Sequence, residues 1–276
     1  MAELTARDRI IAVLDVKDID IAAKFVNDLT PYVGGFKIGL EFIVSMIVSL
    51  ITTEPMDAIC NLKKLRKLFE ALNGKIFWDN KFYDIPRTIA GASRAVAKLG
   101  IKMFNVHCLS GPEAMKAAKK AAGDSIVLGV TILTSLDYED LVKMGLAEEL
   151  NIADEDELRG IEKDWIERLA VRRLAHLAQE CGLDGVIASP QEIEAIRGYC
   201  QPEFLIVTPG IRPEWAPKKD QKRTMTPGEA IKIGGDNLFL VIGSPITDPP
   251  EEIGTPIDAV KLIIAEVEEA LEQLAA

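Results

Sequence analysis

The chain has 276 residues, of which 48% are hydrophobic, 43 acidic and 32 basic, for a formal charge of −11. That length suits a single domain of α/β-barrel size, and the acidic balance excludes non-specific nucleic-acid binding, which needs a basic stripe to displace counterions. An anionic ligand must therefore be held by local cations or backbone amides, against the field of the whole protein.

The first ten residues, MAELTARDRI, alternate charge with short side chains and lack the apolar stretch of a signal peptide. The most hydrophobic run, residues 42–51, contains Ser45 and Ser49 and falls far short of the roughly 20 apolar residues of a membrane span. It reads as a buried or interface helix, and no membrane association is expected. Cys60, Cys108, Cys181 and Cys200 show neither metal-ligand spacing nor the density of a disulfide framework, so a reducing cytoplasm is the expected compartment. With His107 and His176 as the two histidines, a histidine-rich metal site is not expected.

Along the chain, short β-rich apolar runs alternate with longer amphipathic stretches. Strands are expected at residues 9–15, 35–39, 75–81, 103–107, 125–133, 185–189, 204–210 and 237–243. Helices are expected at 21–29, 87–99, 112–122, 165–180, 190–199 and 257–274. Such alternation predicts a parallel sheet, and eight repeats favour its closure into a (β/α)8 TIM barrel of the α/β class, one domain over residues 1–276. An open doubly wound sheet would carry a glycine-rich turn after its first strand; here Asp15-Val16-Lys17-Asp18 follows instead. Two segments exceed a minimal barrel and are expected to be peripheral: a helical region at 42–74, interrupted at Thr52-Thr53-Glu54-Pro55, and an acidic insertion at 137–164.

Barrel enzymes build their sites where strands end and the following loops begin. Polar residues gather at those ends: Asp15 on strand one, Lys37 on strand two, Asp79 and Lys81 on strand three, and Asn105 and His107 on strand four. Strand five runs into Thr134 and Ser135, strand seven into Thr208-Pro209-Gly210-Ile211-Arg212, and strand eight into Gly243-Ser244. Strand side chains alternate faces, which puts Asp79 and Lys81 on one side and Trp78 and Asn80 on the other. Asp15, Lys37 and Asp84 are expected on the same face of the barrel as that pair, against the simpler alternative of isolated rim salt bridges. Negative neighbours favour the charged form of a lysine, which suits a reaction that develops negative charge on carbon and then needs a proton there. A Schiff-base lysine would lack such acidic neighbours.

The loop after strand seven, with Arg212 and then Asp220-Gln221-Lys222-Arg223, and the glycine turn after strand eight lie where barrels often bind phosphate. Gly243 lets backbone amides approach an anion closely. The alternative is a solvated basic loop.

Several runs together resemble the orotidine 5′-phosphate decarboxylase family almost end to end. They are Ala12-Val13-Leu14-Asp15, Phe36-Lys37-Ile38-Gly39, Asp79-Asn80-Lys81-Phe82-Tyr83-Asp84-Ile85-Pro86, Asn105-Val106-His107, Val130-Thr131-Ile132-Leu133-Thr134-Ser135, Val207-Thr208-Pro209-Gly210-Ile211-Arg212-Pro213, Asp220-Gln221-Lys222-Arg223 and Gly243-Ser244-Pro245-Ile246-Thr247. Asp-x-Lys-x-x-Asp is shared with barrels acting on sugar phosphates; the Ile-Pro, Pro-Gly-Ile-Arg and Asp-Gln pieces are more specific in combination. The resemblance implies a cofactor-free and metal-free decarboxylation of orotidine 5′-phosphate to UMP, with Lys81 protonating carbon 6 of the pyrimidine. It places Asp79 beside the scissile carboxylate and gives Lys37 a supporting role in the charge array. It also implies a homodimer with shared active sites, in which Asp84 and Thr88 arrive from the neighbouring subunit. Asp15 would bind ribose hydroxyls, Thr134 the pyrimidine edge, and Arg212 and Gln221 the phosphate.

The family usually carries arginine after the strand-eight glycine, and this chain has Ser244. The amides of Gly243 and Ser244 remain for the phosphate, but a bidentate cation is missing, and Arg212 or Arg223 would have to replace it. Two rival readings are a magnesium-dependent sugar-phosphate decarboxylase or aldolase of the same superfamily and a non-catalytic nucleotide-phosphate sensor motivated by Ser244. His107 reads as a hydrogen-bonded rim residue, Trp78, Trp165 and Trp215 as core or loop anchors, and the cysteines as structural.

Overall fold

A computed structural model describes residues 4–147, 170–217 and 224–275. In chain order the elements are β1 (Ile10–Val13), α1 (Ile19–Leu29), β2 (Gly35–Gly39), α2 (Leu40–Thr52), α3 (Pro55–Ala71), β3 (Ile76–Phe82), α4 (Pro86–Ala97), β4 (Met103–His107), α5 (Pro112–Ala121) and β5 (Ile126–Val130). They continue with α6 (Tyr138–Lys143), α7 (Arg172–Glu180), β6 (Gly185–Ile187), α8 (Ile193–Arg197), β7 (Leu205–Thr208), α9 (Pro227–Gly234), β8 (Leu238–Ile242), α10 (Ser244–Thr247) and α11 (Pro256–Ala275). The strands pair in sequence order and β8 closes on β1, giving a closed, all-parallel (β/α)8 barrel.

Strand alternation divides the apolar residues into two cores. Ile11, Phe77, Met103, Leu128, Val130, Ile187, Leu205, Val207, Phe239 and Val241 point inward and fill the barrel. Their neighbours one residue away, such as Ile10, Ile76, Phe104, Val127, Val186, Ile206 and Leu240, point outward under the helices. A filled interior of this kind leaves the strand ends as the place for a ligand.

Local chemistry fixes the helix starts. The Asp18 side chain accepts from the amides of Asp20 and Ile21 to cap α1, and Thr226 with Glu229 forms a reciprocal capping box on α9. Pro86 opens α4 at the position where a missing N–H costs nothing. The helical region at 42–74 is two helices broken at Thr53 and Glu54, as its sequence indicates. Phe42 and Met46 of α2 are buried, while Val44, Ile47, Val48 and Ile51 are exposed. Residues 148–164 of the acidic insertion and 165–169 of the expected helix lie outside the described residues.

Strand ends account for most departures from the sequence reading. Arg9 belongs to a 3-10 turn, not to β1, because its buried guanidinium donates to the carbonyls of Gly235 and Asp236 across the barrel base. The β5 ladder stops at Val130 and not at residue 133; at Thr131 the hydroxyl donates to the Ile187 carbonyl at 3.0 Å.

Gly185 and Gly91 give a paired test of packing. A Cβ at Gly185 would sit 2.3 Å from the Leu205 carbonyl oxygen, whereas one at Gly91 on α4 meets nothing within 4 Å. Gly185→Ala is expected to destabilise the protein by about 1–3 kcal/mol through overpacking. Gly91→Ala is expected to stabilise it by about 0.5–1 kcal/mol through helix propensity. Urea unfolding of the two variants measures both, and equal effects would contradict the packing described.

Candidate active site

Four charged side chains from three adjacent strands converge at the C-terminal mouth of the barrel. Asp15 lies just beyond β1, Lys37 points inward from β2, and Asp79 and Lys81 point inward from β3. Lys37 Nζ lies 3.2 Å from Asp15 Oδ2 and 3.3 Å from Asp79 Oδ2, and Lys81 Nζ lies 2.7 Å from Asp79 Oδ1. The signs alternate along the row, so no like charges are direct neighbours. Asp79 is buried, Lys37 and Lys81 are partly buried, and Asp15 faces solvent. A carboxylate as enclosed as Asp79 is tolerable only because it is paired and hydrogen-bonded.

Gly39 makes room for this row. A Cβ there would meet Asp15 Oδ1 at 2.7 Å and Lys37 Nζ at 2.8 Å. A cavity of about 180 Å³ opens beside the row, walled by Asp15, Lys37, Gly39, Leu40, Glu41, Asp79, Asn80 and Lys81. A larger cavity of about 740 Å³ lies away from these charges between α2 and α3 and is lined mainly by apolar side chains.

Lys81 does not reach its place by regular strand geometry. β3 and β4 are in register at Trp78↔Phe104 and again at Phe82↔Val106, with an irregularity between. Lys81 has φ 46°, the only positive φ at a non-glycine among the described residues, a conformation that costs on the order of 1–2 kcal/mol for a residue with a Cβ. Asn105, fully enclosed on β4, spans the irregularity. Its Oδ1 accepts from the Lys81 backbone N–H at 2.7 Å, and its Nδ2 donates to Asp79 Oδ1 at 2.6 Å. In the sequence Asn105 stands out only as a polar residue at a strand end. The signal was its inward parity between Met103 and His107, where a barrel lining is otherwise apolar.

The remaining expected residues divide into three groups. Arg212 and Ser244 are brought together, with Arg212 Nη2 donating to Ser244 Oγ at 3.3 Å and Nη1 donating to the Pro217 carbonyl. Gly243 lies at the end of β8 beside them, opening α10. The base of the loop that carries Arg212 is pinned where Arg212 N–H donates to the Met225 carbonyl at 2.9 Å. Asp84 and Thr88 are exposed, and the Asp84 carboxylate accepts from the amide of Ile85 at 2.6 Å rather than joining the charged row. Asp84 lies in the short connection between the end of β3 at Phe82 and the start of α4 at Pro86. Thr134 is exposed beyond β5. Gln221, with Asp220, Lys222 and Arg223, lies outside the described residues.

His107 flanks the site from β4, with its ring 5.4 Å from that of Tyr83. Burial pushes its imidazole below the ordinary value, the nearby Lys81 charge adds to the shift, and Asp79 partly opposes it.

The chain matches the family model described as orotidine 5′-phosphate decarboxylase / HUMPS family over residues 8–253. The chain belongs to this family. It is 42% identical to the orotidine 5′-phosphate decarboxylase of Moorella thermoacetica, over 97% of this chain and 95% of the relative. It is 40% identical to that of Syntrophomonas wolfei, over 96% of this chain and 100% of the relative. A crystal structure of orotidine 5′-phosphate decarboxylase from Lactobacillus acidophilus superposes with a TM-score of 0.63 at 30% identity, covering 94% of this chain and 98% of that one. No helix among the described residues is long and apolar enough to cross a membrane.

The His107 shift has a defined consequence for stability. Its folded-state value lies below the unfolded one, so its contribution is complete above the ordinary imidazole range and is lost as pH falls through the folded value. Between about pH 7 and about pH 5, His107→Gln is expected to lose less melting temperature than the parent protein. Identical pH slopes in the two proteins would remove His107 from the acid response.

Proposed function

We infer that the chain is a carboxy-lyase that decarboxylates orotidine 5′-phosphate to UMP, a step of pyrimidine biosynthesis. Family membership at about 40% identity over nearly the full length supports the activity. The observation that carries the chemistry is the alternating row Asp15, Lys37, Asp79, Lys81 at the strand ends.

In the proposed mechanism the bond between carbon 6 and the carboxylate breaks, carbon dioxide leaves, and the electron pair stays on carbon 6. Ring resonance does not relieve that charge, so fixed groups in the protein must stabilise it. The Lys81 ammonium lies at the end of the row, stabilises the developing carbanion, donates its proton to carbon 6, and is reprotonated from solvent. Asp79 sits beside the departing carboxylate. Lys37 holds Asp79 and Asp15 in place, and Asp15 binds ribose hydroxyls. The residues are already held in place by their mutual contacts before substrate arrives, so little reorganisation is needed at the moment of bond breaking. No metal or organic cofactor enters this reading.

At the other end of the substrate, Gly243, Ser244, Arg212 and Gln221 hold the phosphate, and Thr134 meets the pyrimidine edge. The 3.3 Å contact between Arg212 and Ser244 supports Arg212 as the cation that serves in place of the family arginine. Asp84 and Thr88 serve the neighbouring subunit's site in a homodimer. Their exposure, and that of the apolar Tyr83 and Ile85 on the same turn, suits a surface that a second copy covers.

The deciding experiment follows loss of orotate absorbance with orotidine 5′-phosphate in the presence of a chelator. Turnover is expected to persist, and Lys81→Ala is expected to lose it by roughly a thousandfold or more while keeping the parent's circular dichroism. Chelator-sensitive turnover would favour the magnesium-dependent relatives, and near-normal activity without Lys81 would defeat the mechanism.

Ser244→Arg tests the phosphate end. The new guanidinium would lie beside Arg212, so the two cations repel in the free protein and share the phosphate in the complex. KM is expected to fall by about tenfold, with a lower melting temperature without ligand and a larger upward shift with UMP. An unchanged or raised KM would show that the phosphate is gripped elsewhere.

A further inference from the structure

We propose that Asn105 is a positioning residue for the reaction inferred above, acting through Asp79 and Lys81 rather than on the substrate. The proposal rests on that reading for its kinetic consequence and on geometry alone for its structural one.

Three donors converge on the Asp79 carboxylate. Oδ1 receives Lys81 Nζ at 2.7 Å and Asn105 Nδ2 at 2.6 Å, while Oδ2 faces Lys37 Nζ at 3.3 Å. The same Asn105 side chain accepts from the backbone N–H of Lys81 at 2.7 Å. The orientation of its amide is fixed by chemistry, since a carboxylate only accepts and a backbone N–H only donates. One planar group thus ties both ends of the catalytic pair: the carboxylate of Asp79 and the main chain from which the Lys81 side chain departs.

The requirement comes from the irregularity in β3. Between Trp78↔Phe104 and Phe82↔Val106, residues 79–81 face the single residue Asn105, and regular pairing to β4 is lost there. The Lys81 N–H would have no ladder partner, and its φ of 46° is a conformation that a residue with a Cβ abandons when nothing holds it. Asn105 supplies the missing acceptor. An aspartate in its place would accept but not donate and would set a second negative charge against Asp79. A leucine would do neither.

Loss of this side chain frees the Lys81 backbone to rotate and swings the ammonium off its line to Asp79. Substrate contacts at the ribose and phosphate end are untouched. The effect should therefore fall on the chemical step and spare binding.

The test is Asn105→Ala, alone and in an Asp79→Ala background, assayed with orotidine 5′-phosphate and crystallised without ligand. Alone, kcat is expected to fall by about 10- to 100-fold with KM within about threefold of the parent. In the Asp79→Ala background the same substitution should cost kcat less than it does alone, because one of the two groups through which it acts is gone. In the crystal, Lys81 should leave the left-handed region and its Nζ should move out of hydrogen-bonding distance of Asp79. An unaltered kcat, a loss undiminished without Asp79, or a Lys81 that keeps both its backbone angle and its contact would each overturn the proposal. The crystallographic readout needs no turnover, so a parent protein inert toward orotidine 5′-phosphate would refute the function while Asn105 is still judged by the position of Lys81.

Discussion

The site is organised by the need to keep one enclosed carboxylate charged. Asp79 is buried at the mouth of the barrel, where an unpaired negative charge would be prohibitively costly. Lys37, Lys81 and Asn105 meet that need together. Each comes from a neighbouring position on β2, β3 or β4, and two have a further contact that fixes them: Lys37 with Asp15, Asn105 with the Lys81 main chain. The irregular strand, the positive φ of Lys81 and the bare backbone at Gly39 are all consequences of packing these groups around a single carboxylate.

The barrel was legible in the sequence because its signal repeats. Short apolar strand runs recur between longer amphipathic stretches, and eight weak patterns reinforce one another. The inward-facing set Ile11, Phe77, Leu128, Val207 and Phe239 follows from parity alone once the strands are located. Strand ends were less legible because side chains decide them: Arg9 is drawn out of β1 by carbonyls more than two hundred positions away in sequence. No local pattern encodes such a contact.

The charged row was legible for a similar reason, since Asp79 and Lys81 sit two residues apart at a strand end. Parity gives the correct face, although the route to it differs, because the strand departs from regular pairing before Lys81 and is held by Asn105. An amide carries no charge and attracts no attention in a sequence, so the residue that joins the pair went without a role. Asp84 shows the limit of spacing as a guide: the chain leaves the sheet at Phe82, and the Asp84 carboxylate accepts from the Ile85 amide rather than joining the row.

The pair Arg212 and Ser244 rests on a different kind of contact. Arg212 reaches Ser244 from a loop rather than from the strand end itself, so the cation belongs to the part of the chain that spans the β7 to α9 connection. A guanidinium anchored there depends on how that loop is seated at its base, where Arg212 and Met225 are joined.

The interior core also governs traffic. Ten apolar side chains from the strands fill the barrel below the charged row, leaving a floor rather than a channel. Substrate, carbon dioxide and UMP must therefore share a single doorway, and the gas has to leave past the nucleotide that has just lost it.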